Sequence, residues 1–176
     1  VSAFLLNRSS DLAIIYMSPK QAAASTNSKN VTIRSTTEWN KFAEMVKEAD
    51  ERYDVNAVLM DDITITTMVG GPEAAYRGTF HGNGHTLTVN INSTQEYTAP
   101  FSVVGDATIS DLRTVGTISS TENNQGGLIG TTRFNSTVKV ERCRSSVTIK
   151  NNVERFPCVG GFVGWFYSEK DLSFNS

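Results

Sequence analysis

Apolar positions follow one rule near the start of this chain and another rule through the rest of it. Trp39, Phe42, Ala43 and Val46 are spaced by threes and fours, which puts them on one face of a helix. Just ahead of them, Ser35-Thr36-Thr37-Glu38 is a capping box. The Ser35 hydroxyl is placed to accept from the Glu38 amide, and the Glu38 carboxylate to reach back. The spacing predicts a helix over about 35–49, with Lys41, Glu44, Lys47 and Glu48 turned away from the apolar stripe. No other segment reads convincingly as a helix.

The remaining apolar positions come in short extended runs at 31–33, 55–60, 63–65 and 86–91, the last alternating cleanly as a half-buried strand. Asp61-Asp62 and Gly70-Gly71-Pro72 break these runs. From about residue 97 the pattern repeats itself. Gly126-Gly127-Leu128-Ile129-Gly130 returns as Gly160-Gly161-Phe162-Val163-Gly164, 34 positions on. Ile109, Leu112 and Ile118 return as Val140, Cys143 and Ile149, 31 positions on. A period of this length marks stacked units that bury their apolar faces only against one another. Short strands joined by corners, one circuit every 30 or so residues, predict an all-β solenoid, a parallel β-helix. The helix then has a use: Trp39, Phe42 and Val46 are suited to plug the N-terminal end of the stack. A third unit opens at Leu172-Ser173-Phe174. Aligning Phe174 with Val140 places a position beyond the last residue beneath Cys143, so the coil is expected to continue and its C-terminal end to be open to self-association.

These readings divide the chain into a leader and linker over 1–30 and a β-helix domain over 31–176, with coils from about 55. Leu12 to Met17 is a short apolar patch, and Ala22-Ala23-Ala24 ahead of Ser25 resembles a signal-peptidase site, together an incomplete export signal. No apolar run is long enough for a membrane-spanning helix.

Composition adds limits. The net charge is -2 and no basic run occurs, which argues against a nucleic-acid groove. Thr, Val, Ile, Ser, Asn and Gly dominate after residue 50, as short strands and tight turns require. Cys143 and Cys158 are too few for a disulfide scaffold and lack zinc-site spacing. Cys143 occupies the place of Leu112 and reads as a small core residue, with a bridge to Cys158 open in an oxidising compartment.

Candidate chemistry is sparse. Asp61, Asp62, Asp106 and Arg113 are the loose candidates for acid–base work on a polysaccharide, but neighbouring residues of a strand point to opposite faces, so one Asp is expected to cap a corner and the other to be solvated. His81 and His85 flank Gly82-Asn83-Gly84 and would need a third ligand from another coil to hold a metal. The glycine pairs lack the Lys-Ser/Thr of a phosphate loop. No motif asks for a cofactor. Trp165, Phe166 and Tyr167 form an aromatic run whose expected place is beneath a following coil; exposed, Trp165 and Tyr167 would stack on a sugar or a partner protein.

Gly127-Leu128-Ile129-Gly130, Gly161-Phe162-Val163-Gly164 and the corner Phe80-His81-Gly82-Asn83-Gly84-His85-Thr86 resemble the GLUG-type repeat of bacterial surface proteins, found in adhesin-like chains and in non-catalytic regions of immunoglobulin A peptidases. His81 stands where such corners more often have Asp. The Glu38-Trp39-Asn40-Lys41-Phe42 segment is similar to the N-terminal cap of secreted proteins of this kind. The resemblance covers about 31–176 and implies a right-handed parallel β-helix in an extracellular or cell-surface protein. It implies no catalytic activity. The leading expectation is therefore a non-enzymatic module for adhesion or display, with a glycan or a host or cell-surface protein as partner. A polysaccharide-active lyase or hydrolase and the accessory region of a surface peptidase are the alternatives.

Overall fold

The computed structural model describes residues 28–49, 51–152, 158–166 and 172–175. The fold is mostly parallel β-sheet with one short helix. Strand β1 (Ser28–Ile33) precedes helix α1 (Thr36–Ala49), and β2 (Asp54–Leu59), β3 (Ile63–Ile65), β4 (Tyr76–His81) and β5 (Thr86–Ser93) follow. Next come β6 (Phe101–Ser110), β7 (Arg113–Ser120), β8 (Gln125–Gly126), β9 (Ile129–Thr132), β10 (Val138–Glu141) and β11 (Arg144–Asn151). The last are β12 (Val159–Gly160), β13 (Val163–Trp165) and β14 (Leu172–Asn175).

Every ladder between them is parallel. The larger sheet runs β1-β2-β4-β6-β10-β14, with β9 and β13 added on β6; a second sheet runs β11-β7-β5-β3, and β12 pairs with β8. Register turns the sequence repeat into columns. Ala57 stands beside Phe80, Phe80 beside Ile109, Ile109 beside Val140, and Val140 beside Phe174. On the second sheet Ile91, Ile118 and Ile149 are likewise in line. The glycine pentapeptides superpose too: Gly126 pairs with Gly160, Ile129 with Val163, and the Leu128 amide donates to the Phe162 carbonyl at 3.0 Å. Each pentapeptide is a short strand, a bend and a second strand.

The core lies between the two sheets. Ile33, Leu59, Phe80, Phe101 and Ile109 face Ile65, Leu87, Val89 and Ile118, all essentially buried. The helix forms where the capping box stands. Ser35 Oγ accepts from the Glu38 amide at 3.3 Å, and the Glu38 carboxylate accepts from the Arg34 amide at 2.6 Å. Its stripe of Trp39, Phe42, Val46 and Ala49 is buried. The Trp39 ring packs edge-on against Phe42, Phe80 and Phe101, and its Nε1–H donates to the Thr67 carbonyl at 2.9 Å.

Three expectations need correction. The linker does not extend to residue 30: Ser28, Lys29 and Asn30 already pair with Asp54, Val55 and Asn56, because the β2 ladder and the Asn56–Asn30 amide contact hold them extended. Phe80 and His81, expected in the Gly-rich corner, instead end strand β4; Gly78 and Arg77 hide its alternation, and it forms because β2 and β6 both offer it parallel edges. Cys143 is only partly buried against the core, because among the described residues β11 beside it pairs with β7 alone, and the Cys143 thiol is in no disulfide. The expected export signal lies outside the described residues. Among the described residues no helix is long and apolar enough to cross a membrane.

The aromatic cluster under the helix encloses one hydroxyl that it does not satisfy. Tyr76 is fully buried, its hydroxyl lacks a hydrogen-bond partner among the described residues, and burial, with the Asp54 charge adding to it, pushes its phenol well above the usual range. Two predictions follow from this packing. Trp39→Ala should cost about 3–5 kcal/mol in chemical denaturation, the value for a large aromatic removed from a core. Tyr76→Phe should instead raise stability by about 1 kcal/mol, because the desolvation cost of an unpaired hydroxyl disappears while the ring packing stays.

Candidate functional site

Glycines of the repeat motif let two backbones approach where side chains would not fit. A Cβ on Gly130 would sit 2.2 Å from the Tyr97 carbonyl and 2.6 Å from that of Ser102. A Cβ on Gly164 would lie 2.7 Å from the Asn124 and Gln125 backbone. The first close approach presses the loop carrying Tyr97 against β9, and the second presses β13, with Trp165, against the strand below. Tyr97 has a positive φ of 58°, a conformation uncommon for an aromatic residue, and its amide donates to the Asn123 carbonyl at 3.2 Å.

Tyr97 and Trp165 line a shallow groove of about 350 Å³ together with Pro72, Val103, Thr131 and Thr132. Pro72 is presented by a turn closed in both directions between Gly71 and Ala74. Trp165 is 46 % exposed. Among the described residues no charged side chain lines the groove. Partial burial, then the neighbouring Glu96 charge, raises the Tyr97 phenol above its ordinary range, so it stays a neutral hydroxyl at physiological pH. An aromatic face, a second ring, a proline and two threonines suit a flat, uncharged ligand with an apolar face and hydroxyl edges.

Trp165 was expected as a contact residue and lies in the groove. Trp165 and Phe166 are exposed, because among the described residues β13 pairs with β9 alone. Tyr167 lies outside the described residues. Tyr97, Pro72, Val103, Thr131 and Thr132 escaped the sequence reading. The available signal was indirect: Phe101, Ile129 and Val163 fall in one register, so the loop before Phe101 must share a side with the residues that flank Gly130 and Gly164.

The charged candidates go elsewhere. The Asp62 carboxylate accepts from the Thr86 amide at 2.8 Å and meets His85 Nδ1 at 3.1 Å; the Thr86 bond first, then His85, holds it below the usual carboxylate range. Asp61 is exposed, 3.9 Å from Arg34. Asp106 accepts from the Thr137 amide at 2.8 Å and lies 3.9 Å from Arg77, away from Asp62. Asp62 shares a row with Thr86 and Arg113 along the second sheet, so the four candidates do not converge in one groove. His81 meets Ser110 and Asp111 at 3.1 and 3.2 Å, whereas His85 meets Asp62. Asp111 accepts two bonds from Arg142, 31 residues on, at 2.6 and 2.7 Å, and these lower its pKa. These groups hold corners.

Comparison with known families, curated proteins and solved structures found no match to this chain.

The glycine geometry makes a paired prediction. Gly130→Ala should lose about 1–3 kcal/mol and disturb the Tyr97 loop, because the new methyl meets backbone carbonyls that cannot yield. Gly161→Ala, at the repeat position equivalent to Gly127, meets nothing within 4 Å and should stay within about 0.5 kcal/mol of the parent in the same denaturation assay.

Proposed function

We propose that this chain is a non-enzymatic display module, a right-handed parallel β-helix of the GLUG-like kind, secreted or held at a cell surface, that binds an uncharged glycan in the groove of Trp165 and Tyr97. The parallel ladders support the solenoid reading: each circuit of the chain lays one strand on each of two sheets beside its predecessor. The right hand is the sense that parallel strand–crossover–strand connections adopt. The observation that carries the binding reading is the half-exposed Trp165 indole beside Tyr97, in a groove whose described lining carries no charge. An exposed indole is costly to leave in water and stacks well on the C–H face of a pyranose. The engagement of Asp62, Asp106 and Asp111 in corner bonds supports display over sugar cleavage.

The test is a panel of neutral and acidic oligosaccharides titrated while indole fluorescence is followed. Trp39 is fully buried, so a ligand-dependent change reports on Trp165. At least one neutral oligosaccharide should bind with a Kd near ~1 mM or better, about −4 kcal/mol. Trp165→Ala should weaken it about tenfold or more, and Tyr97→Ala less. A panel with no neutral binder, or a Trp165→Ala protein that binds as well as the parent, would remove the glycan reading.

A further inference from the structure

The described residues that line the groove are spread over successive parallel segments rather than along one strand. Val69 bridges Phe101 in parallel, Phe101 pairs with Ile129, and Ile129 with Val163. Just after Val69 comes the turn that presents Pro72. Just after Phe101, Ile129 and Val163 come Val103, Thr131 and Trp165, which stand side by side in one row. Adjacent strands lie about 4.8 Å apart, so Val103 to Trp165 covers about 10 Å, and the segment of Val69 to that of Trp165 about 14 Å. Along any single strand the lining is short. Strand β9 supplies the neighbours Thr131 and Thr132, while β6 and β13 supply Val103 and Trp165 alone. The hollow is longer across the strands than along them.

Close backbone approach makes this a rigid bed. A Cβ on Gly70 would lie 2.5 Å from the Val103 carbonyl, and one on Gly130 2.6 Å from the Ser102 carbonyl. The Pro72 turn and β9 are therefore seated directly on the β6 backbone. Val103 and Thr131 are buried and form the floor, with exposed Pro72 and half-exposed Trp165 on either side of them.

This shape sorts the ligands that an uncharged aromatic groove takes. A single sugar ring stacked on Trp165 leaves Pro72 untouched. A chain laid along a strand leaves the lining after two residues. A linear chain laid across the strands meets a new lining residue with each unit, because one pyranose advances a chain by about one strand spacing. The described lining offers no charge to pair with a carboxylate or sulfate, and burying such a group unpaired is costly.

We infer, on the glycan reading of this groove, that its ligand is a linear neutral oligosaccharide chain laid across the strands, with at least about three consecutive units held between Trp165 and Pro72. Trp165 stacks on one unit, Thr131 and Val103 floor the next, and Pro72 packs against the far one. The parallel ladders fix the intervals between these contacts, so little has to be ordered when the chain binds.

The probes are three neutral series, each taken from one to four units: β-1,4-linked glucose, β-1,4-linked N-acetylglucosamine and α-1,4-linked glucose. They are titrated against the whole chain by calorimetry, a readout that needs no indole. In a series that binds, the trisaccharide should bind about tenfold tighter than the monosaccharide or better. Trp165→Ala should weaken every length. Pro72→Ala should weaken the trisaccharide about fivefold and the monosaccharide by less than about twofold. The length series needs no substitution, so it decides even where the altered turn is less stable. Equal affinity for one unit and three, or a Pro72→Ala loss that is the same at both lengths, would overturn the inference and leave glycan binding standing. No binding by any member of the three series would remove the glycan reading as well.

Discussion

Parallel strands in register impose one condition on this chain: an inward side chain on one strand must fit directly beside its counterpart on the next, roughly 4.8 Å away. The columns Ala57–Phe80–Ile109–Val140–Phe174 and Ile91–Ile118–Ile149 are that condition written in residues. Each buried member contributes at most about 1.5–3 kcal/mol, and only if its neighbours hold it in place. A slip of one residue would turn a whole column to solvent. The glycine pentapeptides belong to the same constraint. They keep the bend between short strands narrow enough for the next coil to lie flush, as the carbonyl 1.8 Å from a Cβ built on Gly126 makes plain.

A stack of this kind has two ends that cannot satisfy themselves. The helix solves the problem at one end with aromatic bulk: Trp39 bridges Phe42, Phe80 and Phe101, while Tyr76 joins Phe42 and Phe101. The unpaired Tyr76 hydroxyl is a cost of filling that space with a residue whose ring is wanted and whose oxygen is not. Function on a scaffold like this belongs where stacking is incomplete or where bends bring side chains out, and the Trp165 groove is the second kind of place.

Much of the architecture was legible in the chain. The capping box and apolar stripe located the helix to within a residue, and the alignment of Ile109 with Val140 and of Phe174 with Val140 matches the ladders. What stayed hidden had physical causes. Tyr76–His81 is a strand because two neighbouring strands offer it hydrogen bonds, not because its own residues favour one. The short β8–β12 ladder is two residues long, below the reach of any periodicity. Tyr97 carries no local signal at all; only the depth to which Gly130 admits its carbonyl brings it to the groove. Asp62 was readable as a corner residue, whereas the Asp111–Arg142 clasp between coils was not, since it joins residues 31 apart at positive-φ corners where neither motif nor spacing points.

The circuits of the chain are not equal in length. From Ala57 to Phe80 the step is 23 residues, from Phe80 to Ile109 it is 29, then 31 to Val140 and 34 to Phe174, yet these positions stay in line, and a single register shift, between Tyr76 and Gly78, is absorbed within the β4–β6 ladder. Added residues therefore enter mostly the loops, with one taken up as an irregularity in β6, and leave the columns alone. Insertion and deletion can reshape the outline of the molecule, including the walls around Trp165, without renegotiating its interior, so recognition and folding are free to evolve at different speeds.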